Sequence, residues 1–261
     1  MECKQKGYLK RQGLGKKTLN QSTFFAGTVT DRVVRDWLAD DPYSSPGIMP
    51  DMVEQIMIRE EKIIEEDYEK GKSSRLKWKD ADHKNKILKD CREAVTKIEP
   101  SLNKLVLPYE YDVDFSFNAP LTLPHPAGHS ETVILRGFMD IIVRRGTDQW
   151  AVYDVKHTKD DYYWKKTRGQ LSFYDLAVDL MFGAPTFEVG LLQPLCKEPE
   201  RMFVLEEEDR SILYSHVAGM CNDIWNENFE PDAPISACAF CEVKYACPKF
   251  TPKNNGRVDL F

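Results

Sequence analysis

The sequence predicts an α/β fold, a mixed central sheet flanked by helices. Three observations lead there. Thr23 to Ala39 and Asp51 to Lys70 carry apolar residues at helical spacing. Arg136 to Lys156 reads as a β-hairpin, two apolar runs around the turn signal Gly146-Thr147-Asp148. A helical stretch, Trp164 to Met181, then leads into an apolar run at Thr186 to Leu195.

The chain has 261 residues, enough for one large domain or a domain with an insertion. It reads as one domain over 1–261, with a helical insertion at 43–99. The apolar fraction of 42% is that of a folded globule. No apolar run is long enough to span a membrane, and the basic N-terminal stretch lacks a secretory core, so an intracellular protein is expected. A net charge of -6 excludes a protein that coats nucleic acid by bulk charge, but permits an acidic metal site with local basic surface.

Taken in order, residues 1–20 form a basic arm with six Lys or Arg against Glu2. Gly13 to Thr18 lacks phosphate-loop spacing, which removes an ATPase reading. In the first helix, Gly27 and Asp31 are four apart and share a face. Asp41 to Pro50 is a loop by its Pro, Gly and Ser content. Lys72 to Ile98 reads as a lysine-rich helix or helix pair, whose basic face either contacts DNA or is simply solvated. Lys104 to Phe117 reads as a strand carrying Glu110, and Asn118 to Ser130 as a proline-rich loop. His125 and His129 are not expected to act as ligands, because Pro124 and Pro126 forbid a helix that would align them. Glu206 to Glu227 is a helix with the stripe Ile212, Leu213, Val217, Met220 and Ile224.

The chemistry concentrates in the hairpin. Strand side chains alternate faces, so Asp140 shares a face with Phe138 and Ile142, and Asp154 with Val152 and Lys156. Charges planted in apolar strands need a partner or an ion, and a divalent metal between Asp140 and Asp154 would supply one. Taken alone, the pattern also fits an ordinary hairpin with edge charges. Its company is Gln170 and Tyr174, one turn apart on the following helix.

Gly137-x-x-Asp140, then Asp154-x-Lys156, then Gln170-x-x-x-Tyr174 resembles the RecB-like branch of the PD-(D/E)XK nuclease superfamily. The resemblance covers most of the chain. It implies a restriction-endonuclease-like fold and a metal-dependent DNase, an exonuclease on DNA ends or single strands. Asp140, Asp154 and the Val155 carbonyl would hold Mg²⁺ or Mn²⁺, with Asp31 where the family carries a metal-binding histidine. Lys156 would position the attacking water, and Gln170 and Tyr174 would hold the DNA strand. Glu110 is a secondary candidate, from the family's glutamate in the preceding strand.

Seven cysteines without a secretion signal argue against a disulfide framework. Cys91, Cys196 and Cys221 stand singly and read as buried thiols. Cys238-x₂-Cys241-x₅-Cys247-Pro248 is different, since three thiolates this close point to a metal or cluster. The iron–sulfur nucleases of the same branch, such as the CRISPR-associated adaptation nucleases and viral RecB-like exonucleases, take a fourth ligand near the N-terminus. Cys3, followed by basic and aromatic residues, fits that place. A [4Fe–4S] cluster there would staple distant parts of the chain, and Zn²⁺ on the same thiolates is the alternative. A non-catalytic DNA-binding or adaptor subunit on this fold also stays open. So does a nuclease working with a helicase, annealing protein or integrase in recombination, repair or CRISPR adaptation.

Overall fold

The computed structural model describes residues 22–40, 42–43, 46–70 and 75–228. The basic arm, Cys3, Cys238, Cys241 and Cys247 lie outside them. The elements are helices α1 (Ser22–Ala39), α2 (Met49–Glu69) and α3 (Ala81–Leu105), and strands β1 (Glu110–Pro124), β2 (Ser130–Gly146) and β3 (Gln149–Val155). Helix α4 (Trp164–Phe182), strands β4 (Thr186–Leu192) and β5 (Glu200–Phe203) and helix α5 (Glu207–Trp225) follow.

The five strands lie in the order β1-β2-β3-β4-β5. All neighbours are antiparallel except β3 and β4, which α4 joins as a parallel pair. The sheet is therefore mixed, with helices on both faces. On one face Val29, Val33, Trp37, Val53, Met57 and Ile98 pack against Ile141, Val143 and Tyr153. On the other, Leu171, Tyr174 and Ala177 of α4 pack against Ile142, Val152 and Leu191. Helices α2 and α3 thus share a core with α1 and the sheet. Several of their basic side chains pair with neighbouring acids, as in Lys84–Glu61 and Arg92–Glu54.

Two expectations need correction. Helix α3 runs through Pro100 to Leu105, so no strand begins at Lys104. A proline inside a helix removes one hydrogen bond, but burial of Ser101, Leu102 and Leu105 keeps the last turn in place. Asn118 to Pro124 is strand, not loop. Phe117, Ala119, Leu121 and Leu123 alternate inward, and Pro120 is tolerated because β1 is an edge strand. The apolar stripe on α5 is half-covered: Leu213 and Val217 pack against the core, while Ile212, Met220 and Ile224 border an open groove of about 980 Å³. Among the three lone cysteines, Cys91 is fully buried, while Cys196 and Cys221 are partly exposed.

Two glycines are fixed by close approach. A Cβ on Gly137 would lie 2.7 Å from the Phe117 ring, its cross-strand partner. A Cβ on Gly190 would lie 2.4 Å from the Tyr153 ring. Gly27 has no atom within 4 Å of such a position, so sterics do not explain it.

Candidate active site

The β2–β3 ladder is paired as far as Ile141 and Tyr153. Beyond that rung the Val155 N–H donates to Asp140 Oδ2 at 2.8 Å. A side chain thus replaces the backbone partner at the point where Asp140 and Asp154 face each other. Asp154 has no solvent exposure. Lys156 Nζ stands 2.7 Å from both of its oxygens. The hydrogen bond goes to Oδ1, and Oδ2 is buried without one.

Burial raises the Asp140 carboxyl to about 6, and the Asp154 charge beside it adds to the shift. Asp154 is also raised, first by burial, against the pull of Lys156. Lys156 rises despite its own burial, because Asp154 and Asp140 favour its charge. On α4, Tyr174 is buried and pushed up to about 12, by burial and then by Asp154. Its hydroxyl accepts a hydrogen bond from the exposed Gln170. The charges of both aspartates and of Lys156 act on the tyrosine, so α4 delivers it to the same centre.

Asp31 enters from α1. Its carboxyl is raised by burial, then by the nearby Asp140 charge, with Arg35 opposing. Arg35 Nη2 donates to Asp31 Oδ2 at 2.6 Å, and Arg35 Nη1 donates to Asp114. Sequence reasoning missed Arg35 and Asp114. The signal for Arg35 was its position four residues after Asp31 on one helix face. Asp114 had no such signal, because only a kink in β1 turns it toward the helix.

One further contact ties the same elements together. The buried Thr30 Oγ1 lies 2.8 Å from His157 Nδ1, joining α1 to the residue after Lys156. Burial lowers the His157 pKa.

Glu110 stands elsewhere. It is paired across strands with Arg144, four residues from Asp140, and its carboxylate meets that arginine at 3.5 Å. Another buried acid, Asp175 of α4, is fully occupied by the Thr186 N–H and hydroxyl and by Arg210. His125 and His129 are brought together after all. A turn between β1 and β2 stacks their rings 4.5 Å apart, near Glu131. One nitrogen of each ring and a Glu131 carboxylate oxygen lie within 4.8 Å of one another, a group that could hold a metal ion although no sequence pattern led to that expectation. His125 Nδ1 accepts the Ala127 N–H, which leaves the proton of the neutral ring on Nε2. An ion at Nε2 would displace that proton and compete with the Ala127 hydrogen bond.

The residues at the hairpin end suit a hard divalent cation. Every candidate ligand is an oxygen, the donor type Mg²⁺ and Mn²⁺ prefer. With every group ionised, the four carboxylates Asp31, Asp114, Asp140 and Asp154 against Arg35 and Lys156 carry a formal charge of two negative, which is why burial and mutual repulsion raise Asp140 and Asp154 without an ion. The buried Asp154 Oδ2 faces the Lys156 ammonium at 2.7 Å. A divalent ion would offset the remaining charge.

The sequence profile of the PD-(D/E)XK nuclease superfamily matches residues 2–248. The chain belongs to that superfamily. In this PD-(D/E)XK chain, Asp154-Val155-Lys156 spells the D-x-K of the name, and Met139 stands where the proline would. The chain is also similar to the crystal structure of SSO0001, at 14% identity and a TM-score of 0.39, with 94% of each chain covered. No curated protein matches it. Among the described residues, no helix is long and apolar enough to cross a membrane.

Proposed function

We propose that this chain is a Mg²⁺- or Mn²⁺-dependent deoxyribonuclease that acts as an exonuclease on DNA ends or single strands. The observation that carries the reading is the end of the β2–β3 ladder, where the Val155 N–H fixes the Asp140 carboxylate and Lys156 stands 2.7 Å from both oxygens of the buried Asp154. Asp140, Asp154, the Val155 carbonyl and Asp31 are the residues that would hold the ion. A bound ion supplies Lewis-acid polarisation of the phosphate and a more acidic water.

The chain's own residues do the rest. The Val155 N–H fixes the Asp140 carboxylate, so its free oxygen is already aimed. Asp154 holds the Lys156 ammonium at a set distance, where it can orient a water and offset charge gathering on the phosphate. Tyr174 keeps its proton at neutral pH and so remains a hydrogen-bond donor to a phosphate oxygen or base edge. Exposed Gln170 is placed to share that contact.

End-labelled linear DNA and a covalently closed circle test the reading together. We expect the linear DNA to be degraded with Mg²⁺ or Mn²⁺, the circle to survive, and EDTA to stop the reaction. Cutting of the circle makes the protein an endonuclease. Binding without cleavage, at any metal concentration, makes it the adaptor subunit instead. Stimulation by an added helicase, annealing protein or integrase would place it in a larger machine.

A [4Fe–4S] cluster on Cys3, Cys238, Cys241 and Cys247 belongs to the same proposal, supported by the spacing of the three C-terminal thiolates and, for Cys3, by the resemblance to iron–sulfur nucleases. Zn²⁺ is the competing occupant.

A further inference from the structure

Strand β1 departs from regular geometry at one place. Val113 pairs with Ile141 and Phe115 with Met139, so Asp114 falls between those rungs, across from Asp140. Asp114 has φ of 54°, a left-handed conformation uncommon for a residue with a side chain and best tolerated by Asn and Asp. Backbone held in such a region signals a local demand that outweighs the preference for regular strand. Here the demand is visible. The kink puts the Asp114 carboxylate on Arg35 Nη1, while Nη2 of the same guanidinium reaches Asp31 Oδ2.

Arg35 is therefore divided between two acids. One of them, Asp31, is the acid of α1 that senses the Asp140 and Asp154 charges. A guanidinium and a divalent ion compete for the same carboxylate oxygens. If Arg35 had Asp31 as its sole partner, the arginine would both occupy that ligand and add uncompensated positive charge beside the ion. A second carboxylate on the far side of the guanidinium relieves both problems. The regular strand could not supply it, because Asp114 would then stand in its rung opposite Asp140.

We propose that Asp114 is a positioning residue for the metal centre: it anchors Arg35 against β1, confines that arginine to Asp31 Oδ2, and so leaves the other Asp31 oxygen to the ion. This rests on the proposed metal site. The arrangement is a counterweight. Asp114 touches Arg35, not the reacting atoms, and its effect on the ion runs through that arginine.

Calorimetric titration of the whole chain with Mn²⁺, without DNA, tests this through a double-mutant cycle. Asp114→Asn removes the charge but keeps a side chain that adopts the same backbone. It should weaken Mn²⁺ binding on the order of tenfold, the scale of one partly screened charge near a divalent ion. Arg35→Gln should tighten binding, since it removes the competitor. With Arg35 already Gln, adding Asp114→Asn should cost under roughly threefold, because little remains for Asp114 to hold. Unchanged binding in Asp114→Asn overturns the proposal. An equal loss with and without Arg35 also overturns it, making Asp114 a direct ligand. Asp154→Asn is the separate control: wild-type affinity there means the ion binds elsewhere, and the metal-site reading falls together with this one.

Discussion

The Val155 N–H donates to Asp140 Oδ2 where the β2–β3 ladder has ended. A backbone donor thereby holds a carboxylate whose pKa burial has raised to about 6. If Asp140 holds the proposed ion, function and stability pull in opposite directions at this residue. Asp140→Asn keeps an oxygen for the Val155 N–H but loses the ionised ligand. We expect loss of metal-dependent cleavage together with higher thermal stability in EDTA, by about 1–3 kcal/mol, the range for relieving a buried like-charge contact. Equal melting temperatures in EDTA would show that the two aspartates do not strain the metal-free fold.

The same shift gives a pH dependence. A carboxyl raised in the folded state, against an ordinary value of 3.8, binds more protons folded than unfolded between those limits. The metal-free protein should therefore lose stability as pH rises from about 4 to about 6. Asp140→Asn should flatten that slope, and saturating Mn²⁺ should reverse it, since the ion favours the ionised form. Urea unfolding at a series of pH values in EDTA measures this directly, and a slope unchanged by Asp140→Asn would assign it to other groups.

Lys156 is the partner of a carboxylate with no solvent exposure. Removing one member of such a pair leaves the other charge buried and unpaired. Lys156→Met should abolish cleavage and destabilise the metal-free protein by roughly 2–4 kcal/mol, discounted from the usual cost because the ammonium is itself partly exposed. Added Mn²⁺ should restore most of that stability without restoring cleavage. Recovery of cleavage along with stability would reduce Lys156 to a structural role.

The hairpin and α4 were legible in the sequence because each carries its own period. Alternation put Asp140, Asp154 and Lys156 on one side, and a one-turn spacing put Gln170 beside Tyr174. The edges of β1 were not. Pro100 concealed the end of α3, since burial outweighed the lost hydrogen bond. Pro120 and Pro124 concealed the strand in which Phe117, Ala119, Leu121 and Leu123 alternate. Arg35 and Asp114 stayed hidden for a further reason: their pairing spans 79 residues and depends on a backbone kink that no local pattern announces. The approach of Asp31 to Asp140, between α1 and β2, is likewise tertiary information.

Glu110 offers a negative test of the site's boundary. It is exposed, belongs to a strand rung four residues from Asp140, and meets Arg144. An exposed pair of this kind contributes little to stability, about 0–1 kcal/mol. Glu110→Ala should cleave DNA within about twofold of the wild-type rate, with an unchanged Mn²⁺ requirement. A large rise in that requirement would extend the metal site along β1.

The last prediction concerns Cys3, Cys238, Cys241 and Cys247, which lie outside the described residues. If they hold one cubane cluster, protein purified without oxygen should be brown and carry about four irons per chain, as four thiolates on one [4Fe–4S] unit require. Asp154→Asn should keep the colour, because an oxygen site for Mg²⁺ and a thiolate site for iron draw on different ligands. Cys91 should be equally dispensable for the colour. It is fully buried, donates to the Ala26 carbonyl at 3.6 Å, and its thiol is pushed up to about 11 by burial, all of which disfavour a thiolate ligand. Cys3→Ser should bleach the protein and lower its unfolding midpoint, since the ligands are far apart in sequence and closing so long a loop stabilises by about 4–5 kcal/mol in the comparable disulfide case. Elemental analysis separates the outcomes. Stoichiometric zinc without iron assigns the thiolates to Zn²⁺, whereas full iron in a Cys3→Ser protein of unchanged stability removes Cys3 from the ligand set.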